Sequence, residues 1–279
     1  MRFLKIRKKV TEEQLYKLIN RMTAKEPVRS SAESDRWWAY RDAENITDRS
    51  AIPLLMKIVR DNPQKDRRKI RRAAYFIMNK MLKRSFDKAT CEYLIERLNY
   101  EKDKYVLSGI MSQLQFLTIP PDVDIGPIIA CSKSEKWLIR DTAINALGAS
   151  ATPESRDALT DFLKRSTDEK RDKYAIAWAI FSLARIGDPS VIPLLGKYAD
   201  SRSLHIRYSA RSSIEALTHG SMPAPPGPGR KSLCRPRKKR SGKRNGNIAF
   251  EPAQGKKKRR TVRLCSEKKN SDCRERSSR

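Results

Sequence analysis

The stretch Ile46-Thr47-Asp48-Arg49-Ser50-Ala51-Ile52-Pro53-Leu54-Leu55 returns as Ile186-Gly187-Asp188-Pro189-Ser190-Val191-Ile192-Pro193-Leu194-Leu195, with seven of the ten positions identical. The copies lie 140 residues apart, which is four steps of 35. Self-similarity at a period of this size marks a stacked array, in which no unit can bury its apolar face alone. Inside the stretch, Asp and Ser suit a helix start, and Pro fits a first turn, where a missing N–H is tolerated. Ile and Leu fill a seam between units, so the stretch sets the register of the array rather than a chemistry.

Outward from it, apolar residues at helical spacing divide the chain into helices. Over 11–24, Thr11 caps, Glu12 and Glu13 suit the positive end, and Leu15, Leu18, Ile19 and Met22 share a face. A second amphipathic segment, 32–46, carries Trp37, Trp38, Ala39 and Ala43. Then come pairs of a shorter and a longer helix: 50–60 with 66–82, 86–98 with 101–117, 125–131 with 135–147, 153–163 with 170–186, and 190–198 with 204–217. The longer helices align on Ile70-Arg71, Tyr105-Val106, Ile139-Arg140, Ile176-Ala177 and Ile206-Arg207, at steps of 35, 34, 37 and 30. Arg71, Arg140 and Arg207 recur with the repeat, which assigns them to carbonyls or acids of the adjoining unit rather than to a ligand. Gly148 and Gly187 are expected to let neighbouring units approach closely, so that an aspartate at either should damage packing.

The run from Asp188 to Leu195, together with Trp137-Leu138-Ile139-Arg140-Asp141-Thr142-Ala143-Ile144-Asn145-Ala146-Leu147-Gly148, resembles HEAT repeats, in particular the short kind named after phycobilisome lyases. The resemblance covers roughly 32–220. It implies an all-α fold, an α-solenoid of paired antiparallel helices whose second helices line a concave groove. It also implies a scaffold, an adaptor or a nucleic-acid binder more often than an enzyme. The expected organisation is a basic arm and first helix over 1–31, the solenoid over 32–220, and a disordered basic tail over 221–279.

Charge narrows the partner. The chain carries 61 Lys and Arg against 32 Asp and Glu, a formal +29, which favours polyanions such as nucleic acid, a ribonucleoprotein or an acidic protein. Its last 59 residues hold 20 of those cations and four acids, in a Pro-, Gly- and Ser-rich setting that cannot continue a helix. Two clusters there, Arg237-Lys238-Lys239-Arg240 and Lys256-Lys257-Lys258-Arg259-Arg260, are candidates for phosphate contact, or for nuclear import in a eukaryote.

The helix over 66–82 and its flanks bring Lys65, Arg67, Arg68, Lys69, Arg71, Arg72, Lys80, Lys83 and Arg84 against a single acid, Asp66. At about 100° per residue, Ile70, Ala73, Ala74, Ile77 and Met81 form the core stripe, and Lys65, Arg68, Arg72 and Lys83 fall on the other side. With Lys69, these are the candidate nucleic-acid contacts, expected to be free and aimed into the groove. Binding through them would fall steeply with salt and depend little on sequence. The alternatives are a solvated basic face, or an adaptor whose charge serves acidic partners.

Enzymatic chemistry has thinner support. Trp37-Trp38 with Asp42, and Trp137 with Asp141, each put an aromatic and a carboxylate on one helix face. This is similar to bacterial HEAT-like alkylpurine DNA glycosylases, which pair Trp with a catalytic Asp in a basic groove, and Asp42 or Asp141 would take that role. The simpler assignment of Trp38, Trp137 and Trp178 is to gaps in the core. No His-Glu metal motif, no Gly-rich phosphate loop and no nucleophile with a His partner is present, given two histidines. A non-catalytic scaffold without metal or cofactor is therefore expected.

Five cysteines without a Cys-x-x-Cys pair suit a reducing compartment, with Cys91 and Cys131 as small core residues. No apolar run is long enough to cross a bilayer, and the first ten residues lack the apolar centre of a secretory signal. An intracellular, cytoplasmic protein is expected, nuclear if eukaryotic. Residues 105–131 contain no Lys or Arg, so Val106, Leu107, Ile110, Met111, Leu114, Phe116 and Leu117 are expected in the buried middle of the array, any exposed remainder being an apolar protein-binding patch.

Overall fold

The computed structural model describes residues 9–27, 30–166 and 168–222. The clusters Arg237–Arg240 and Lys256–Arg260, and most of the basic arm, lie outside the described residues. The described chain forms twelve α-helices: α1 (Glu12–Thr23), α2 (Asp35–Glu44), α3 (Ala51–Asp61), α4 (Arg68–Arg84), α5 (Lys88–Glu96), α6 (Lys104–Leu114), α7 (Gly126–Ser132), α8 (Trp137–Leu147), α9 (Pro153–Arg165), α10 (Glu169–Ile186), α11 (Ile192–Gly196) and α12 (Leu204–His219). Short 3-10 turns precede α4 and α11 and follow α5. One isolated bridge, Ile119 N–H to Ala149 C=O at 2.8 Å, ties neighbouring connections together.

The helices form two layers. The even-numbered helices stack on one another from α2 through α4, α6, α8 and α10 to α12. The odd-numbered ones form a second layer, with α3 on α4, α7 on α8, α9 on α10 and α11 on α12. The short α5 seats itself mainly on α4 and α7. One continuous core results, which includes Leu15 and Ile19 of α1, Leu55 of α3, Ile77 of α4, Ile110 of α6, Ile144 of α8, Ile180 of α10 and Ile206 of α12. This is an all-helical solenoid of paired and stacked helices.

The duplicated stretch works through its aspartate. Asp48 accepts hydrogen bonds from the Ser50 N–H (3.0 Å), the Ser50 hydroxyl (2.7 Å) and the Val10 N–H (2.7 Å), so it starts α3 and also pins the chain's N-terminal segment. Asp188 accepts from the Ser190 N–H at 2.9 Å and from Arg156 at 3.0 Å. Those N–H and guanidinium donors hold the Asp188 carboxyl at about 2. The expectation that serine also caps is corrected: Ser50 makes no capping bond to α3 and instead donates to Asp48.

Two of the recurring arginines, Arg71 and Arg140, are struts between units, whereas Arg207 bonds within the connection of its own pair rather than to an adjoining one. Arg71 donates to Glu101 at 2.9 Å and to the Asn62 and Gln64 carbonyls at 2.8 and 2.7 Å; its side chain is 7% exposed and that of Glu101 3%. Arg140 reaches Asp172 of the next unit at 3.0 Å, and Arg207 donates to the Ser201 carbonyl at 2.7 Å. Gly148 marks a close crossing of α8 and α10, where an added Cβ would lie 2.8 Å from the Ser182 Cβ and 2.9 Å from its Cα. Gly187 differs from the packing role expected of it. No atom lies within 4 Å of where its Cβ would sit, and its φ of +82° is what requires glycine.

Candidate binding face of the second helices

Tyr40 of α2, Arg72 and Phe76 of α4, Tyr105 and Gly109 of α6, and Trp137 of α8 line one recess. A depression shared by four successive helices of one layer means that this layer is hollow along the stack. The hollow continues past α2 and α4, where Trp37, Arg41, Lys69 and Lys80 line it, and past α8 and α10, where Trp137, Asp141, Tyr174 and Trp178 do.

Of the residues proposed from sequence, Lys69 and Arg72 share this hollow, both exposed and without a carboxylate partner among the described residues. Arg72 runs across Gly109, its Nε 3.5 Å from where a side chain there would begin. Arg68 is exposed but not free, which corrects the expected charge pattern. Its guanidinium meets Asp103, one repeat later, at 3.1 Å and lies over the Tyr105 ring at 5.5 Å. Lys65 sits at the rim with Arg68. Lys83 is at the far end of α4, over the exposed Phe116 ring at 4.9 Å. Phe116 itself lies beyond the end of α6 and is not in the core expected for it, whereas Val106, Leu107, Ile110, Met111, Leu114 and Leu117 are buried.

The larger correction concerns the aromatics. Trp38 is 38% exposed and Trp137 67%, so neither fills the core. Trp178 is partly buried against it, edge-on to Phe181 at 5.5 Å. Trp37, Tyr105, Trp137 and Tyr174 all lie exposed near the start of a second helix, or just past the kink at Asp172 in the case of Tyr174. The signal was present in the sequence: Tyr105, Trp137 and Tyr174 recur at steps of 32 and 37, close to the repeat period. In the register of Arg71, Arg140 and Ala177, Trp137 and Tyr174 correspond to Arg68 on α4, and α4 adds Lys69 and Arg72 to the same face.

The two Trp–Asp constellations fare differently. Asp42 is tied to Arg21 at 2.9 Å, and the Trp38 indole N–H donates to the Ala32 carbonyl at 3.1 Å, so that pair is held by neighbouring structure. Asp141 does share a recess with Trp137, bonded to Arg140 Nε at 3.1 Å. Burial pushes the Asp141 carboxyl up from its ordinary range. Asn145, on the same wall, donates to Gln115, and its Oδ1 is buried without a partner. Among the described residues, no group of three or more His, Cys, Asp or Glu side chains could hold a metal ion, and no helix is long and apolar enough to cross a membrane. Cys91 is buried, Cys131 is half-buried, and both are free thiols.

Residues 176–201 match the family model described as PBS lyase HEAT-like repeat. No curated protein matches. Among solved structures, a designed armadillo repeat protein is 15% identical, with a TM-score of 0.43 over 73% of this chain and 99% of that one. An engineered protein from a structural genomics consortium is 19% identical, with a TM-score of 0.46 over 74% and 97%. A second designed armadillo repeat protein, in complex with the peptide (KR)4, is 15% identical, with a TM-score of 0.41 over 73% and 99%. At these identities the likeness is one of helix stacking alone. With the helix pairs, the match places one HEAT-like repeat at 176–201 within an all-helical, solenoid-like array.

Proposed function

We propose that the protein is a non-catalytic scaffold whose second-helix face binds single-stranded nucleic acid. The observation that carries this is one hollow face on which two cations lacking an acidic partner among the described residues, Lys69 and Arg72 of α4, are flanked by exposed aromatics, Trp37 on one side and Tyr105, Trp137 and Tyr174 on the other. Cations track a phosphodiester backbone and release its counterions, while aromatic rings stack on bases whatever their identity. A duplex presents its bases edge-on and cannot use such rings, so the pattern favours single strands. In this reading 32–220 is the binding array, and the clusters at 237–240 and 256–260 add sequence-independent phosphate contacts. The match over 176–201 supports assigning the repeats to the short PBS-lyase type, and only their architecture enters the proposal.

A second reading rests on the α8–α10 end of the face. There Glu135 adjoins Trp137, Tyr174 and Trp178, whose ring faces suit a cationic side chain of a peptide, while Asp141 and Asp172 are already paired with Arg140 and Arg171. The test is anisotropy of a labelled single strand of mixed sequence, titrated with the full chain over a range of salt. Affinity is expected to fall steeply with salt, and combining Lys69→Glu with Arg72→Glu should weaken binding at every salt and flatten the slope by about two ion equivalents. Binding indifferent to that double change would rule out the face as the site.

A further inference from the structure

Outside the hollow, at the rim where the connections into α4, α6 and α8 come together, Arg60, Lys65, Lys102, Lys104 and Lys136 line a single recess. All five are exposed, and none meets a carboxylate within ion-pair distance among the described residues. The two acids in the recess are already used, Glu101 by Arg71 at 2.9 Å and Asp103 by Arg68 at 3.1 Å. No side chain caps α4 or α8, so the positive ends of both helices add to the same field. Like charges brought together without counter-charge repel, and such an arrangement lowers stability unless something anionic occupies it. Along the hollow, in contrast, aromatic rings stand among the cations, Trp37, Tyr40 and Phe76 lining the same recess as Lys69 and Arg72.

We propose that this rim recess binds adjacent phosphate groups, as in a polyphosphate chain or the triphosphate end of a strand. The source is either a free polyphosphate or the terminus of a strand lying in the hollow, which the recess joins through Lys104 and Lys136. Five cations at the end of α3 and around the starts of α4, α6 and α8 match a ligand with several charges close together, whereas an isolated phosphodiester would leave most of them uncompensated.

The test uses the full chain, with inorganic tripolyphosphate as the probe. Tripolyphosphate should raise the melting temperature above that in chloride of equal ionic strength. Lys65→Glu with Lys102→Glu should lower tripolyphosphate affinity by about tenfold or more. Lys69→Glu with Arg72→Glu, which lie in the hollow, should leave it within about twofold. A 5′-triphosphorylated strand and its 5′-hydroxyl counterpart distinguish the sources. Tighter binding of the first, with the preference lost in the Lys65/Lys102 variant, assigns the phosphates to a strand end. Equal binding of the strands, with tripolyphosphate still sensitive to that variant, assigns them to a free polyphosphate.

If charge reversal impairs folding, Lys65→Ala with Lys102→Ala provides the same comparison at lower electrostatic cost. The proposal is overturned if tripolyphosphate acts no differently from chloride, or if neither Lys65/Lys102 variant changes its affinity. It is also overturned if the sensitivity moves to Lys69 and Arg72, a result that would leave the nucleic-acid reading of the hollow standing.

Discussion

The crossing of α8 and α10 can be tested by adding a single methyl group. In Gly148→Ala the new Cβ would sit 2.8 Å from the Ser182 Cβ and 2.9 Å from its Cα. The Cα is backbone and cannot swing aside, and Ser182 is further held by its hydroxyl bond to the Ile144 carbonyl at 3.1 Å. The two helices must therefore separate, and overpacking of this kind costs about 1–3 kcal/mol. For an array of this length that is a fall in melting temperature of roughly 2–12 °C. Gly187 supplies the control. It stands in open space at a φ of +82°, so Gly187→Asn should be nearly silent and Gly187→Ala should cost about 1 kcal/mol from backbone strain alone. At Gly148 the order reverses, because Asn is the larger side chain. Thermal and urea unfolding of the four variants measures this directly. A Gly148→Ala protein melting within about 1 °C of the parent would refute the close crossing.

Other consequences are separable. Glu101→Gln leaves the buried Arg71 guanidinium without its counter-charge, and breaking such a pair is expected to cost about 3–5 kcal/mol in urea unfolding. Replacing both partners together, Arg71→Met with Glu101→Leu, should restore much of the loss. The Asp188 carboxyl is depressed to about 2, below its unfolded value of about 3.9, so it binds its proton less readily in the folded chain. Its contribution is present above the unfolded pKa and disappears as pH falls toward the folded one. Asp188→Asn should therefore flatten the fall in melting temperature across that acid window without altering its shape near neutrality. Trp137→Ala, truncating a ring that is 67% exposed, should leave the melting temperature within about 2 °C of the parent yet weaken single-strand binding by about 1–3 kcal/mol.

The helices and their order were legible because a repeat array declares itself locally. Amphipathic spacing, the aspartate of the duplicated stretch and the recurrence of Arg71, Arg140 and Arg207 all depend on contacts that the sequence writes more than once. The exposed tryptophans were not legible from apolarity alone. Within one helix, period 3.6 marks a face but not what abuts it. Only the recurrence of Tyr105, Trp137 and Tyr174 carries that information. Arg68 was misjudged for a related reason, since its partner Asp103 lies 35 residues away, one full unit along the chain. Gly187 was assigned to close packing by its place near a helix end and Phe116 to the buried middle by the lack of Lys and Arg around it; backbone angle decides the first and position past the end of α6 the second.

All four tryptophans of the chain lie on α2, α8 and α10, and in the proposed reading the basic clusters outside the described residues would attract any polyanion whether or not it has bases. The most direct measurement therefore compares the full chain's affinity for a base-bearing strand and for an abasic strand of the same length, at one salt concentration. The base-bearing strand is expected to bind tighter, by about 1–3 kcal/mol for each stacked base, with tryptophan quenching that Trp137→Ala diminishes. Equal affinities, or a difference untouched by Trp137→Ala, would contradict the claim that the second-helix face holds single strands by stacking.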